Sequence, residues 1–437
     1  MAFTGLRLKQ FKCFLDSEDV PLGPLTVIFG RNNTGKSSLL QSLLVLRQSL
    51  DAPEAFRLNL RGQIYKAGSY NDIVHQHKSK QHVTIALQVD GKTVSGNIEM
   101  EFSSSEPKSP KLVRLTVRSS GIDDVEFHTS QGGSYRLSIG GVDTGREKNA
   151  NFFFPANSFL PRIGPNPLVL GRPNEKRKRA RHNANSLILE LERNLKGLRA
   201  LSAFRHQPQR SYEFTGRSVH YESQGQGVIA ALIEDSTRGR KKGRLLESVN
   251  RWLRQVGSVR LLPIRSISKT AKLFELRIRD TDSGRWANFA DVGFGIGQAL
   301  PVFVEGLETP KGGTFLVQEP EIHLHPDAQL GMADFLISLV RSGRQVIVET
   351  HSENILLRIR HAVLNFGKRT NRNKPALDPN DLTVLIVSKA TDGTSQVKVL
   401  EVDSLGQLDS WPKDFMEEAT EERMAIMREM AKLPENS

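Results

Sequence analysis

Gly30-Arg31-Asn32-Asn33-Thr34-Gly35-Lys36-Ser37 satisfies every fixed position of the phosphate-binding pattern G-x-x-x-x-G-K-[ST]. Glycine lets the backbone wrap an anion without a Cβ in the way, and the N–H groups at a helix start point at it. Lys36 is placed to reach β- and γ-phosphates, and Ser37 to hold Mg²⁺. Gly30, Asn32, Asn33, Thr34, Gly35, Lys36 and Ser37, with Ser38 following, are therefore the expected nucleotide contacts.

Three further segments carry chemistry-bearing groups. Thr314-Phe315-Leu316-Val317-Gln318-Glu319-Pro320-Glu321 is an apolar run ending in carboxylates, followed by Ile322-His323-Leu324-His325-Pro326. A strand end of this kind can put a carboxylate beside Mg²⁺ and an attacking water. Gln345-Val346-Ile347-Val348-Glu349-Thr350-His351-Ser352 delivers a histidine to a second strand end, as a sensor of the γ-phosphate. Gly293-Phe294-Gly295-Ile296-Gly297-Gln298 is a glycine-rich turn ahead of an apolar helix. An ordinary loop would also read this way, but its position just before the carboxylate strand favours a role at the site.

The supporting elements follow from pattern. Leu25 to Phe29 reads as the strand entering the phosphate loop, and Ser37 to Leu50 as the helix leaving it. Between about 56 and 150, alternating runs such as 82–89 and 96–102, with Asp90-Gly91 between them, predict an antiparallel sheet continued by 112–117 and 134–139. Residues 151–257 become basic and helical, with a helix expected from Asn185 to about Leu201 and another ending near Trp252. Asp280-Thr281-Asp282 reads as a hairpin tip. The divisions expected are 1–150, 151–257, 258–380 and a C-terminal extension 381–437 of two strands and a helix. There is no internal repeat and no heptad run long enough for a coiled-coil arm.

The 437 residues include 61 Lys and Arg against 48 Asp and Glu, for a net charge of +13. That excess favours an acidic partner, DNA among the candidates. Two basic knots stand out: 172–181, with Arg177, Lys178, Arg179 and Arg181, and 238–244, with Arg240, Lys241 and Lys242. Solvated loops are the plain alternative for both. The single cysteine excludes an intrachain disulfide framework, and no apolar run approaches a membrane span, so a cytosolic location is expected.

The four motifs in this order resemble the ATP-binding-cassette ATPases of the SMC, RecF and OLD type. The paired asparagines of the phosphate loop and the run Glu319 to Pro326, close to the OLD-like form, carry the likeness. A narrower likeness is to bacterial AAA-type ATPases with a C-terminal domain of unknown function, through 58–62, 72–75 and Trp411-Pro412-Lys413-Asp414-Phe415. Relatives of that kind occur in bacterial antiphage defence, the Septu ATPase subunit type among them. The resemblance implies an α/β fold. It would be an ABC-type ATPase head with a mixed, largely parallel core sheet, an antiparallel β subdomain and a basic helical insertion. It also implies ATP and Mg²⁺ as cofactors. Glu319 would polarise water, His351 would contact the γ-phosphate, and Ser37, Gln318, Glu319 and Gln63 would lie at the metal. Gly295, Gly297 and Gln298 would face the nucleotide of a second subunit, so that ATP is sandwiched in a homodimer or a multiple of it.

Two departures from that pattern bear on rate. Gln318 stands where an acidic residue is usual, and a neutral amide offsets metal charge poorly, so hydrolysis is expected to be slow, with Glu321 as partial compensation. Gly295 replaces the signature serine. The nuclease domain of OLD proteins has no counterpart after His351, and no zinc or His-Asn-His constellation is present. A nuclease acting with this chain would be a separate effector polypeptide. Two competing readings remain open at this level: a DNA-clamping repair ATPase of SMC/RecF type, and an ATP-binding scaffold with little turnover.

Overall fold

The computed structural model describes residues 2–52, 56–91, 94–105, 108–129, 135–147, 152–153, 158–164, 175–214, 216, 223–237, 242–268, 270–368 and 375–410. Trp411 to Phe415, the expected C-terminal helix, Arg240 and Lys241 lie outside the described residues.

A six-stranded sheet forms the centre. Its order is Arg199–Leu201, Thr314–Gln318, Gln345–Glu349, Leu25–Phe29, Leu382–Lys389, Ser395–Leu400. All neighbours pair parallel except the last two, which form an antiparallel hairpin. The strands are nearly continuous apolar runs because both faces are covered. Successive residues serve opposite faces. Ile28, Leu316, Ile347 and Leu385 belong to one buried cluster, and Val27, Phe315, Val317, Val346, Val348 and Val384 to the other.

The first cluster is closed by a nine-stranded antiparallel sheet that includes Gly5–Phe11, Val83–Asp90, Ser95–Ser105 and Lys108–Ser119. Val83–Asp90 pairs with Ser95–Ser105 as the expected hairpin, but Asp90 lies within the strand opposite Ser95, so the turn falls beyond Asp90-Gly91. The second cluster is closed by helices Arg244–Gly257, Phe294–Glu308, Pro326–Arg341 and Glu353–Leu364. A buried amide is one of the joints between the two layers. Gln345 donates to the carbonyls of Phe3 (2.6 Å) and Gly23 (3.1 Å), and its Oε1 accepts from Phe3 N (3.2 Å) and Thr314 Oγ1 (3.0 Å).

The basic segment differs from expectation. Its helix begins at Glu175, ten residues before Asn185, and ends at Lys196. Ala180 and Ala184 stand in phase with Leu187, Ile188, Leu191 and Leu195 on its buried face, and these side chains join the first cluster. Small alanines between arginines hide that stripe from a reading by hydrophobicity. Arg199–Leu201 leaves the helix as a strand and pairs with Thr314–Gln318. The 151–257 segment is thus shared between the layers. Arg277–Asp280 and Trp286–Asn288 form the hairpin expected around Asp280-Thr281-Asp282.

Candidate functional site

The phosphate loop leaves Phe29 at the C-terminal end of a central strand. Gly30 and Gly35 have φ of 149° and 105°, and Asn33 has 63°. Crowding adds to the conformational demand. A Cβ on Gly30 would sit 2.2 Å from the Val387 carbonyl oxygen, and one on Gly35 would sit 2.4 Å from Cys13 Sγ. Lys36 opens the helix Lys36–Ser49 and is only 4% exposed. Its Nζ donates to the carbonyls of Gly30 and Arg31, both at 2.9 Å. Burial lowers its pKa. The ammonium is thus folded back over the loop, where an arriving phosphate would compete for it. Thr34 Oγ1 donates to the Arg31 carbonyl (2.9 Å), and Ser395 Oγ braces the loop by donating to the Thr34 carbonyl (2.6 Å). Arg31, Asn32 and Asn33 are exposed at the loop's crest.

Beside the loop, Ser37 Oγ donates to Glu349 Oε1 at 2.6 Å, and Gln318 Nε2 donates to Glu349 Oε2 at 2.6 Å. Gln318 and Glu349 are register partners at the ends of adjacent parallel strands.

Glu319 follows immediately, with a left-handed φ of 45°. Its N–H donates to the Glu349 carbonyl (2.8 Å), and its Oε1 lies 3.2 Å from His351 Nε2. Burial, then the charges of Glu321 and Glu349, push the Glu319 carboxyl up to about 8. Burial, followed by Lys36, lowers the His351 imidazole despite the charges of Glu321 and Glu349. Both shifts favour an uncharged pair, because desolvation outweighs mutual attraction here.

Glu321 divides its two oxygens, with Oε2 buried and without a hydrogen-bond partner among the described residues. Its Oε1 accepts from Thr350 Oγ1, from His351 N (2.9 Å) and from Ser352 N (3.0 Å). It therefore fixes the turn that presents His351. The carboxylate that the structure brings to Ser37 and Gln318 is Glu349. Arg205 is a second group that the sequence patterns did not single out. Its Nη2 donates to the carbonyls of Gln318 (2.7 Å) and Glu319 (2.9 Å), and its Nη1 to that of Gln298 (3.2 Å). Burial pushes this guanidinium down to about 10. No local motif marks Arg205. The sequence patterns assigned Glu349 no role, and only strand order makes it the neighbour of Gln318.

The glycine turn caps the start of helix Phe294–Glu308. A Cβ on Gly295 would meet the His323 carbonyl oxygen at 2.5 Å, so packing requires this glycine. Gly297 and Gln298 are buried within the chain, Gly297 beneath Pro208. Gly293 and Phe294 are the exposed part of the turn, and Phe294 stacks edge-on with His323. Gln63 is exposed, and its neighbour Gly62 packs on Gln48, near the far end of the phosphate-loop helix. Eleven helical residues separate Ser37 from Gln48, roughly 16 Å, so the structure does not put Gln63 beside Ser37. Among the basic residues, Lys178 pairs with Glu175 (2.6 Å), and Arg181 donates to the Gly164 carbonyl (3.2 Å). Arg179 and Lys242 are exposed and Arg177 is half-buried.

A model of the AAA ATPase domain family matches residues 1–159 and 246–356, together more than half of the chain. The chain belongs to this AAA ATPase domain family. The matched stretches of the AAA ATPase domain contain Lys36, Ser37, Glu319, Glu349 and His351, whereas Arg205 falls between them. An OLD nuclease of Thermus scotoductus is 24% identical over 367 residues, covering 79% of this chain and 58% of that protein. The Old nuclease of Escherichia phage P2 is 42% identical over 53 residues, 12% of this chain and 9% of its own length. The chain thus spans little more than half of the longer match. Among solved structures, the SMC head domain from Thermotoga maritima has a TM-score of 0.42 and 13% identity, covering 92% of this chain and 100% of its own. An SmcHead bound to the C-winged helix domain of ScpA has a TM-score of 0.44 and 12% identity, covering 92% and 98%. Membership of the AAA ATPase domain family supports ATPase activity, and the chain is similar in sequence to OLD nucleases.

Proposed function

We propose that this chain binds ATP with Mg²⁺, hydrolyses it with Glu319 acting on water, and completes the site between two head-to-tail copies. The cycle would regulate an effector on another polypeptide, a nuclease, in bacterial antiphage defence. The observation that carries the ATPase reading is convergence. Lys36, Ser37, Gln318, Glu319 and His351 come from the C-terminal ends of three adjacent parallel strands and the loop between strand and helix. Ligands of open α/β sheets bind at that edge.

The residues fit a nucleotide-bound Mg²⁺. The Ser37 hydroxyl, the Gln318 amide and the carboxyl of Glu319 offer the hard oxygen donors this ion takes. When bound with ATP, Mg²⁺ neutralises charge on the phosphate oxygens. The chain's own groups do the rest. Lys36 leaves its two carbonyls for the phosphates. Glu319, once ionised beside the cationic charge of Lys36 and the bound metal, would accept a proton from water or orient it, and His351 beside it would position that exchange near the γ-phosphate. Arg205 keeps the strained Glu319 peptide in place. The amide at Gln318 supports slow turnover.

The effector part of the proposal draws on the likeness to nucleases that extend well beyond the matched stretch. A DNA clamp draws less support, because Lys178 and Arg181 are engaged within the chain. The test is steady-state phosphate release by the purified chain, together with the activity of a nuclease encoded beside it. Nucleotide-dependent nuclease output that disappears with Lys36→Ala supports the proposal. A nuclease indifferent to nucleotide and to this chain overturns the effector part, and absence of ATP binding overturns the whole.

A further inference from the structure

We infer that Glu349, on the histidine strand, is the acidic ligand of the nucleotide-bound metal, carrying the charge that Gln318 lacks. This inference rests on the ATPase reading and adds the carboxylate which that site requires.

The argument starts from strand order. Gln345–Glu349 lies between Thr314–Gln318 and the phosphate-loop strand Leu25–Phe29. Glu349 is the register partner of Gln318 on one side and of Ile28 on the other. A carboxylate at 349 therefore stands one strand nearer the phosphate loop than any side chain at 318. Register partners on adjacent strands project to the same face, so the two side chains meet. They do so through the 2.6 Å bond from Gln318 Nε2 to Glu349 Oε2.

The second step is the destination of the other oxygen. Glu349 Oε1 accepts from Ser37 Oγ at 2.6 Å, and Ser37 is the hydroxyl a phosphate loop gives to Mg²⁺. The carboxylate thus already lies against the loop's metal-binding oxygen.

The third step is burial. Glu349 is 4% exposed, and both of its side-chain hydrogen-bond partners among the described residues are uncharged. A buried carboxylate held only by a hydroxyl and an amide is expensive, and a cation at that point offsets the cost. Lys36 lies within reach of the Glu349 charge, but its ammonium is bonded to the Gly30 and Arg31 carbonyls rather than to that carboxylate. Glu321 spends Oε1 on the Thr350–Ser352 turn and keeps Oε2 buried without a hydrogen-bond partner among the described residues, but it is Glu349 whose oxygens meet Ser37 and Gln318. The acidic charge has moved across one strand, and Gln318 has become the amide that orients it.

The experiment uses the full chain, ADP and Mn²⁺ as the paramagnetic probe, with free Mn²⁺ counted by EPR. Nucleotide binding in EDTA is measured in parallel. If wild type binds no nucleotide, the ATPase reading itself fails. If it does, Glu349→Gln should keep nucleotide affinity in EDTA and weaken Mn²⁺ in the complex by about 10- to 100-fold, the range seen when groups around a metal are altered. Glu349→Asp, which keeps the charge, should lose less, and it serves if Glu349→Gln does not fold. The double variant Gln318→Asp with Glu349→Gln should recover most of the affinity by returning the carboxylate to the other strand. Unchanged Mn²⁺ affinity in Glu349→Gln, Asp and Gln variants that are equally weak, or a double variant no better than the single one, overturns the inference.

Discussion

Arg205 holds the peptide of the residue proposed to act on water: one guanidinium nitrogen donates to the carbonyls of both Gln318 and Glu319, at 2.7 and 2.9 Å. The other terminal nitrogen donates to the Gln298 carbonyl in the helix that follows the glycine turn. The carboxylate strand end and the helix after the glycine turn therefore share one buried cation, and Glu319 keeps its φ of 45° under that clamp. A left-handed non-glycine residue costs about 1–3 kcal/mol and persists only where its surroundings enforce it.

Arg205→Met is accordingly expected to lower kcat for ATP hydrolysis while leaving ATP affinity within a few-fold. It should also reduce stability, because buried carbonyls left unpaired cost about 1–3 kcal/mol each. Chemical denaturation alongside turnover separates the two effects. A folded variant with wild-type kcat would remove the clamp from the mechanism.

Glu319→Gln should retain ATP and lose turnover by about 10²–10⁴, the usual range for a lost general base. Single-turnover phosphate release checks this. Equal rates in variant and wild type would shift the role to another group.

The Glu319 carboxyl, pushed up to about 8 by burial, also makes stability depend on pH. A carboxyl whose folded pKa exceeds its unfolded value of about 4.3 stabilises the fold fully below that value. The contribution is lost as pH rises toward about 8. Nucleotide-free wild type should therefore melt at lower temperature as pH climbs through this window, and Glu319→Gln should show a flatter curve. Identical slopes in the two proteins would contradict the assignment.

Lys36→Ala should abolish ATP binding in calorimetry, since Lys36 is the cation the loop holds buried over its own carbonyls, where phosphates would displace those bonds. Retained affinity in a folded variant would remove the basis of the phosphate-loop reading.

Gly293 offers a clean probe of the head-to-tail arrangement. Nothing lies within 4 Å of a Cβ placed there, whereas one on Gly297 would be 2.8 Å from Pro208. Gly293→Asp should leave the subunit intact and ATP bound, yet prevent ATP-driven dimers by setting an anion at the helix start. Light scattering across an ATP titration decides it, and a variant that dimerises as well as wild type speaks against a sandwich through this turn.

Much of this arrangement was readable in the chain. The phosphate loop, the carboxylate strand and the histidine strand are local patterns of apolar run, turn and polar terminus, and each lies where its pattern puts it. What escaped depends on contacts between distant residues. Glu349 gains meaning only because its strand lies between two others, an order no local periodicity encodes. Arg205 bonds main-chain carbonyls, which carry no side-chain signature. The early start of the helix at Glu175 was masked because its buried stripe there is alanine, flanked by charges that face water. Gly297 reads like its neighbouring glycines, and only Pro208 above it sets it apart.

The amide of Gln345 acts as a rivet. It fastens the first residues of the antiparallel layer to the N-terminal end of the central strands, opposite the edge where Lys36 and Glu319 lie. A second rivet sits at the nucleotide edge, where the Ser395 N–H donates to the Cys13 carbonyl (2.9 Å), and the same Ser395 braces the phosphate loop through the Thr34 carbonyl. Riveted at both ends, the antiparallel layer serves as a stiff backing plate for the phosphate loop.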